Sequence, residues 1–144
     1  MGENQAESTR SLDKELETSL DSVDEAEQLA LKFAGEAGFS EEDLHKIGMA
    51  VREAMVNAVV HGNRYNANKK VYLSLEHEAN RFAITITDEG AGFERTALAD
   101  PLAEENLLRQ SGRGLLLIQA FVDEFEVTQA PPRGSQVKLV KYRT

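Results

Sequence analysis

The chain has 144 residues, 41% of them hydrophobic and 28% charged, the length and composition of one globular domain with a substantial core. It contains no cysteine, which excludes a disulfide framework, a thiolate nucleophile and a thiolate metal site. With 25 acidic against 16 basic residues the net charge is −9, which argues against a surface that neutralises nucleic-acid phosphates. MGENQAESTR lacks the apolar stretch of a secretory signal and misses the simple myristoylation pattern. No apolar run approaches the roughly 20 residues of a spanning helix. A cytoplasmic protein without a membrane or nucleic-acid partner is expected.

Residues 1–9 are polar and expected to be disordered, with residues 10–144 forming a single domain. RSLDKELETSL reads as an edge strand. Ser22 followed by Glu25 has capping-box spacing, so a helix is predicted to start there and to stop near Gly35 to Gly38. Ser40 and Asp43 suggest the N-cap of a second helix, EEDLHKIGMAVREAMVNAVVHG, with Gly62 as its C-cap residue. The period then switches to two. Val71, Leu73 and Leu75, and after a turn at His77–Asn80, Phe82, Ile84 and Ile86, give an antiparallel hairpin. Glu94 to Ser111 is mixed in character, with Pro101 inside it. Leu115 to Val122 reads as a short helix, and FEVTQ and SQVKLVKY as two strands joined at Pro131–Gly134. Strands grouped in hairpins with helices between them indicate an α+β fold: a two-layer α/β sandwich whose mixed, mostly antiparallel sheet is covered on one face by helices.

Three stretches carry chemistry. On the second helix Leu44, Ile47, Val51, Met55 and Ala58 form one apolar stripe, and Met49, Val56 and Val60 a second, nearly opposite. Glu53 and Asn57 lie between them, about 40° apart around the axis, with His61 at the edge of the sector. A carboxylate in such a place is costly unless paired or wetted by a cleft. Helix geometry alone leaves open a plain surface pair. DEGAGF follows a strand directly, and Gly90 and Gly92 permit a tight turn with exposed amides beside Asp88. An ordinary strand terminator would read the same way. Gly112, Arg113 and Gly114 open an apolar helix, where unpaired N–H groups, the positive dipole end and a guanidinium suit phosphate. A plain loop-to-helix junction is the bland alternative. The P-loop pattern is absent, and DEGAGF lacks the third glycine and following helix of a dinucleotide fingerprint.

In combination and in this order, the three stretches resemble the histidine-kinase-like ATP-binding superfamily. EAMVNAVVHGN looks like its N-box, DEGAGF like its first glycine box and SGRGLLLI like its second. Within that superfamily, NLLRQSGRGLLLIQAFVDEFEV looks most like the anti-sigma factor serine/threonine kinases, and the resemblance spans about residues 10–142. It implies the histidine-kinase-like ATPase fold, ATP and Mg²⁺. Asn57 matches the magnesium-coordinating asparagine and Glu53 the general base. Asp88 matches the acid that binds the adenine amino group, with Gly90 and Gly92 giving close backbone passage. Gly112, Arg113 and Gly114 match the phosphate-side box, and Glu94 to Gln110 the lid. Ser135 stands where relatives commonly have threonine, and Leu116 where many have a further glycine. His61, typical of such N-boxes, could contact phosphate or support structure.

The resemblance thus implies an ATP-dependent serine/threonine kinase that acts as an anti-sigma factor, with an anti-anti-sigma protein as substrate, an RNA polymerase sigma factor as second partner, and homodimerisation. A sensor histidine kinase is disfavoured because no histidine precedes His45, and a topoisomerase or chaperone ATPase by length. The alternative is a nucleotide-dependent partner-switch binding module without kinase activity. The presence of Glu53 favours the kinase.

Overall fold

The computed structural model describes residues 9–90, 114–130 and 133–143. Five strands, β1 (Arg10–Glu17), β2 (Lys70–Glu78), β3 (Arg81–Thr87), β4 (Glu124–Gln129) and β5 (Ser135–Tyr142), form one sheet in the order β1-β2-β3-β5-β4. Every pairing among them is antiparallel, so the described sheet is not mixed. Helices α1 (Leu20–Glu36), α2 (Glu41–Val56) and α3 (Gly114–Phe121) are the other elements. None of the described helices is long and apolar enough to cross a membrane.

Period-two alternation puts Val71, Leu73, Leu75, Phe82, Ile84, Ile86, Val137 and Leu139 on one sheet face, all buried. They share a core with Val23, Ala30 and Phe33 of α1, Ile47, Val51 and Met55 of α2 and Ile118 of α3. Phe33 stacks on Phe82 with ring centroids 5.5 Å apart, pinning α1 to the middle of the sheet. The opposite sheet face carries Tyr72, Ser74, Thr85, Thr87, Gln136 and Lys138 around a groove of about 540 Å³.

Local rules set most of the boundaries. The β2–β3 turn is two residues long, Ala79 and Asn80, with Ala79 left-handed at φ 56°. α1 ends in a Schellman arrangement: Gly38 (φ +91°) and Phe39 donate to the carbonyls of Gly35 and Ala34. The Ser40 hydroxyl accepts from the Asp43 amide, the expected cap of α2. The start of α1 needs correction. The N-cap is Ser19, in extended conformation, and Ser22 lies buried inside the first turn. The chain turns at once after β1, where the Ser19 amide donates to the Glu17 carbonyl, so the helix begins three residues before the capping-box spacing suggested.

The end of α2 also differs. From Asn57 to Gly62 the helix continues as a π-helical turn, and Asn63, not Gly62, is its C-cap, with φ −80°. The expected disorder of residues 1–9 and the lid at 94–110 fall almost wholly outside the described residues.

A buried Lys141–Asp43 ion pair, joined by the exposed Asp123, ties the start of α2 to the sheet. Lys141 Nζ on the core side of β5 lies 3.5 Å from Asp43 Oδ1 and 3.3 Å from Asp123 Oδ2. Asp123 Oδ2 also accepts the Tyr142 amide at 2.7 Å. Lys141→Ala strips the cation from two carboxylates and is expected to destabilise the fold by about 3 kcal/mol, read from the urea midpoint at constant m.

Candidate functional site

The polar centre forms where the end of α2 meets the ends of β3 and β5. The β3–β5 register, with Thr87 opposite Gln136, carries the chain on so that the Asp88 amide donates to the Ser135 carbonyl at 2.9 Å. Asp88 is 5% exposed, and a carboxylate that deep requires donors. Its Oδ1 accepts the amides of Gly90 (2.9 Å) and Ser135 (3.2 Å), and its Oδ2 accepts the Ser135 hydroxyl at 2.7 Å. Of the roughly four lone-pair positions of a carboxylate, one on Oδ2 is left by the described residues.

Three glycines from separate segments close on this carboxylate. A β-carbon on Gly62 would lie 2.4 Å from Asp88 Oδ2, one on Gly90 2.0 Å from the Gly62 carbonyl oxygen, and one on Gly134 2.1 Å from the Asp88 carbonyl oxygen. Gly134 is also left-handed, at φ +109°. Gly62 is therefore needed for lack of a side chain rather than as a left-handed cap.

Around the cradle runs a second layer that the sequence reading missed. Asn63 accepts the Glu89 amide at 2.8 Å and donates to Thr18 Oγ1 and the Lys70 carbonyl. The Glu89 carboxylate accepts the Lys70 amide at 3.0 Å and the Tyr72 hydroxyl at 2.7 Å. The Tyr72 hydrogen bond, then that from Lys70, holds the Glu89 carboxyl below the ordinary carboxylate value, and the same contact raises Tyr72. No motif flags Asn63 or Glu89. A polar residue after a helix-ending glycine, and a glutamate inside Asp-x-Gly, look like solvated loop positions. Only the adjacency of both to glycines marks them.

Glu53 and Asn57 sit one turn apart on α2, both half-buried, with His61 exposed. Asn57 Nδ2 donates to the Glu53 carbonyl at 3.0 Å. Because a carbonyl takes only a donor, this bond commits the amide nitrogen to the helix and leaves the oxygen without a hydrogen-bond partner among the described residues. The six-residue π-helical turn from Asn57 to Gly62 joins this pair to the cradle. Among the sequence-derived candidates, the structure thus brings together Asp88, Gly90 and Ser135, and joins Glu53 to Asn57. His61 lies exposed within the π-helical turn. Gly114 opens α3. Gly92, Gly112 and Arg113 lie outside the described residues.

A helix-covered antiparallel sheet with a buried strand-end carboxylate facing an Asn-bearing helix defines an α+β ligand-binding sandwich of a particular kind. The chain belongs to the histidine kinase-like ATPase domain family, whose pattern it matches over residues 16–141. It is similar to proteins named anti-sigma F factor. That of Oceanobacillus iheyensis is 34% identical over 102 residues, covering 69% of this chain and 70% of its own. That of Bacillus thuringiensis is 37% identical over 103 residues, covering 70% of each. Among solved structures, the crystal structure of the RsbU and RsbW domains of Rv1364c from Mycobacterium tuberculosis overlays on 93% of this chain with a TM-score of 0.68 at 17% identity. The match takes in 32% of that longer chain and supports the fold.

Membership of an ATPase-domain family implies nucleotide binding. Gly62→Ala drives a methyl group into Asp88 Oδ2 and should weaken ATP binding by about tenfold or more, as expected when a buried hydrogen-bonding group is displaced. Calorimetric titration checks this, with circular dichroism verifying the fold.

Proposed function

We propose that this chain is an ATP-dependent serine/threonine protein kinase that acts as an anti-sigma factor, phosphorylating an anti-anti-sigma protein and sequestering a sigma factor. The observation that carries the catalytic part is Glu53. Its carboxylate is half-buried, has no partner among the described residues, and lies one helical turn from Asn57. A structural glutamate there would be expected to find a cation. On the outer face of α1, Asp24 and Glu27 do so, both pairing with Arg52. The partners are carried by likeness to the anti-sigma F factors.

The residue roles follow from donor chemistry. Asp88, acceptor-only, takes the adenine amino group on its remaining Oδ2 position, with Gly90, Gly92 and Ser135 lining the base. Asn57 offers its amide oxygen to Mg²⁺, a cation that keeps several waters and binds substrate phosphates, so a single protein ligand suffices. When bound, Mg²⁺ neutralises charge on the phosphates. Gly112, Arg113 and Gly114 bind the phosphate tail, and His61 either contacts phosphate or supports the structure. Glu53 accepts the proton of the attacking serine or threonine hydroxyl. The net charge of −9 suits a protein target better than nucleic acid. A cytoplasmic setting and homodimerisation complete the reading.

Incubation with labelled ATP, Mg²⁺ and candidate anti-anti-sigma proteins is expected to place phosphate on a serine or threonine of the partner. Glu53→Ala should lower that rate by about 10²- to 10⁴-fold, the usual weight of a general base. ATP affinity should change little. ATP binding without transfer to any candidate would favour the sequestering partner switch instead. If ATP and ADP both leave the melting temperature unchanged, the nucleotide reading fails.

A further inference from the structure

The Asp88-Glu89-Gly90 turn has to hold a carboxylate at one angle although it lies beyond the last rung of the β2–β3 ladder, where Tyr72 pairs with Thr87. What replaces the missing ladder is a side chain. Asn63 is 2% exposed and uses its whole amide. Oδ1 accepts the Glu89 N–H at 2.8 Å, and Nδ2 donates to Thr18 Oγ1 at 2.9 Å and the Lys70 carbonyl at 3.0 Å. Those three partners belong to the β1–α1 junction, the first residue of β2 and the turn after β3. The Thr18 hydroxyl is itself committed to the Lys69 carbonyl, which leaves its oxygen to accept from Asn63. Both strong donors and the acceptor of one buried amide are thus satisfied, each by a different segment.

The backbone of Asn63 is set just as firmly, because its N–H closes the π-helical turn on the Ala58 carbonyl at 2.8 Å. The Glu89 amide it holds sits between Asp88 and the Gly90 amide that binds Asp88 Oδ1. From the outer side the Glu89 carboxylate grips the Lys70 amide and the Tyr72 hydroxyl, so the turn is anchored on two sides. We propose that Asn63 is the positioning residue for purine recognition, fixing the Asp88-Glu89-Gly90 turn so that Asp88 selects adenine over guanine. The role rests on the nucleotide reading above. Guanine presents an oxygen where adenine presents an amino group, so a rigid carboxylate rejects it and a loose one does not.

The test is calorimetric titration of the full chain with Mg-ATP and Mg-GTP for the unmodified protein, Asn63→Ala, Asp88→Ala and the double variant. Asn63→Ala is expected to weaken ATP about tenfold or more, in line with the loss of a buried hydrogen-bond anchor, and to shrink the ATP:GTP affinity ratio toward that of Asp88→Ala. In the double variant it should add almost nothing, since both changes act on one contact. Additive losses, an equal weakening of ATP and GTP, or an unchanged ratio would overturn the proposal. If Asn63→Ala does not fold, Thr18→Val removes one anchor at nearly constant volume. It should shift the ratio in the same direction by less, and an unchanged ratio would again overturn the role. An unmodified protein that binds neither nucleotide would instead sink the functional reading itself.

Discussion

A charged carboxylate held almost out of water is the constraint around which the rest of this structure is arranged. Asp88 would be too costly to bury alone, and its three donors cannot come from its own strand. They come from the Gly90 amide in the following turn and from the Ser135 amide and hydroxyl across the sheet. That supply depends on register, with Thr87 facing Gln136. A one-residue slip of β5 would turn the Ser135 hydroxyl to the other face and leave a buried charge short of partners. The apolar alternation of Ile84, Ile86, Val137 and Leu139 enforces the same register, so core and site select a single pairing.

The π-helical turn is the second consequence. An α-helix that simply continued through Asn57 would present Gly62 and Asn63 at a different angle to the β3 end. Hydrogen bonding five residues back widens the last turn and lets the Gly62 backbone close on Asp88 while Asn63 reaches the Glu89 amide. Such turns are rare and cluster where a helix must re-aim its side chains. Here the same six residues begin at Asn57 and end at Gly62, so one irregular segment sets the spacing between Asn57 and the cradle.

Much of this was legible in the residues. Alternation located β2 and β3, Ser40 announced α2, and Glu53, Asn57 and Asp88 stood out as polar groups in apolar or glycine-rich surroundings, whereas Ser135 was marked only by the family resemblance. What stayed hidden was of two kinds. The Ser22–Glu25 spacing is a valid local signal, but the entry to α1 is set by the turn out of β1, a contact with Glu17 that no helix rule contains. Gly62 and Gly134 read as punctuation because glycine is common at helix ends and turns. Their real requirement, the approach of the Asp88 carboxylate to Gly62 and of the Asp88 backbone to Gly134 within a β-carbon's reach, is a tertiary fact. Asn63 belongs to the same class: its meaning lies in three partners up to 45 positions away.

Asp88 and the Glu53–Asn57 pair are thereby held by different parts of the fold. Asp88 is locked into the sheet by register, amides and close-packed glycines. Glu53 and Asn57 ride on a helix whose start is tied to the sheet by Lys141 and Asp43 and whose end is tied by Asn63. Clamping α2 at both termini leaves its middle free of ionic partners on the side of Glu53, so that carboxylate can stay unpaired without costing the helix its place. On the proposed kinase reading, tethering at the helix ends would leave Glu53 available to an incoming hydroxyl.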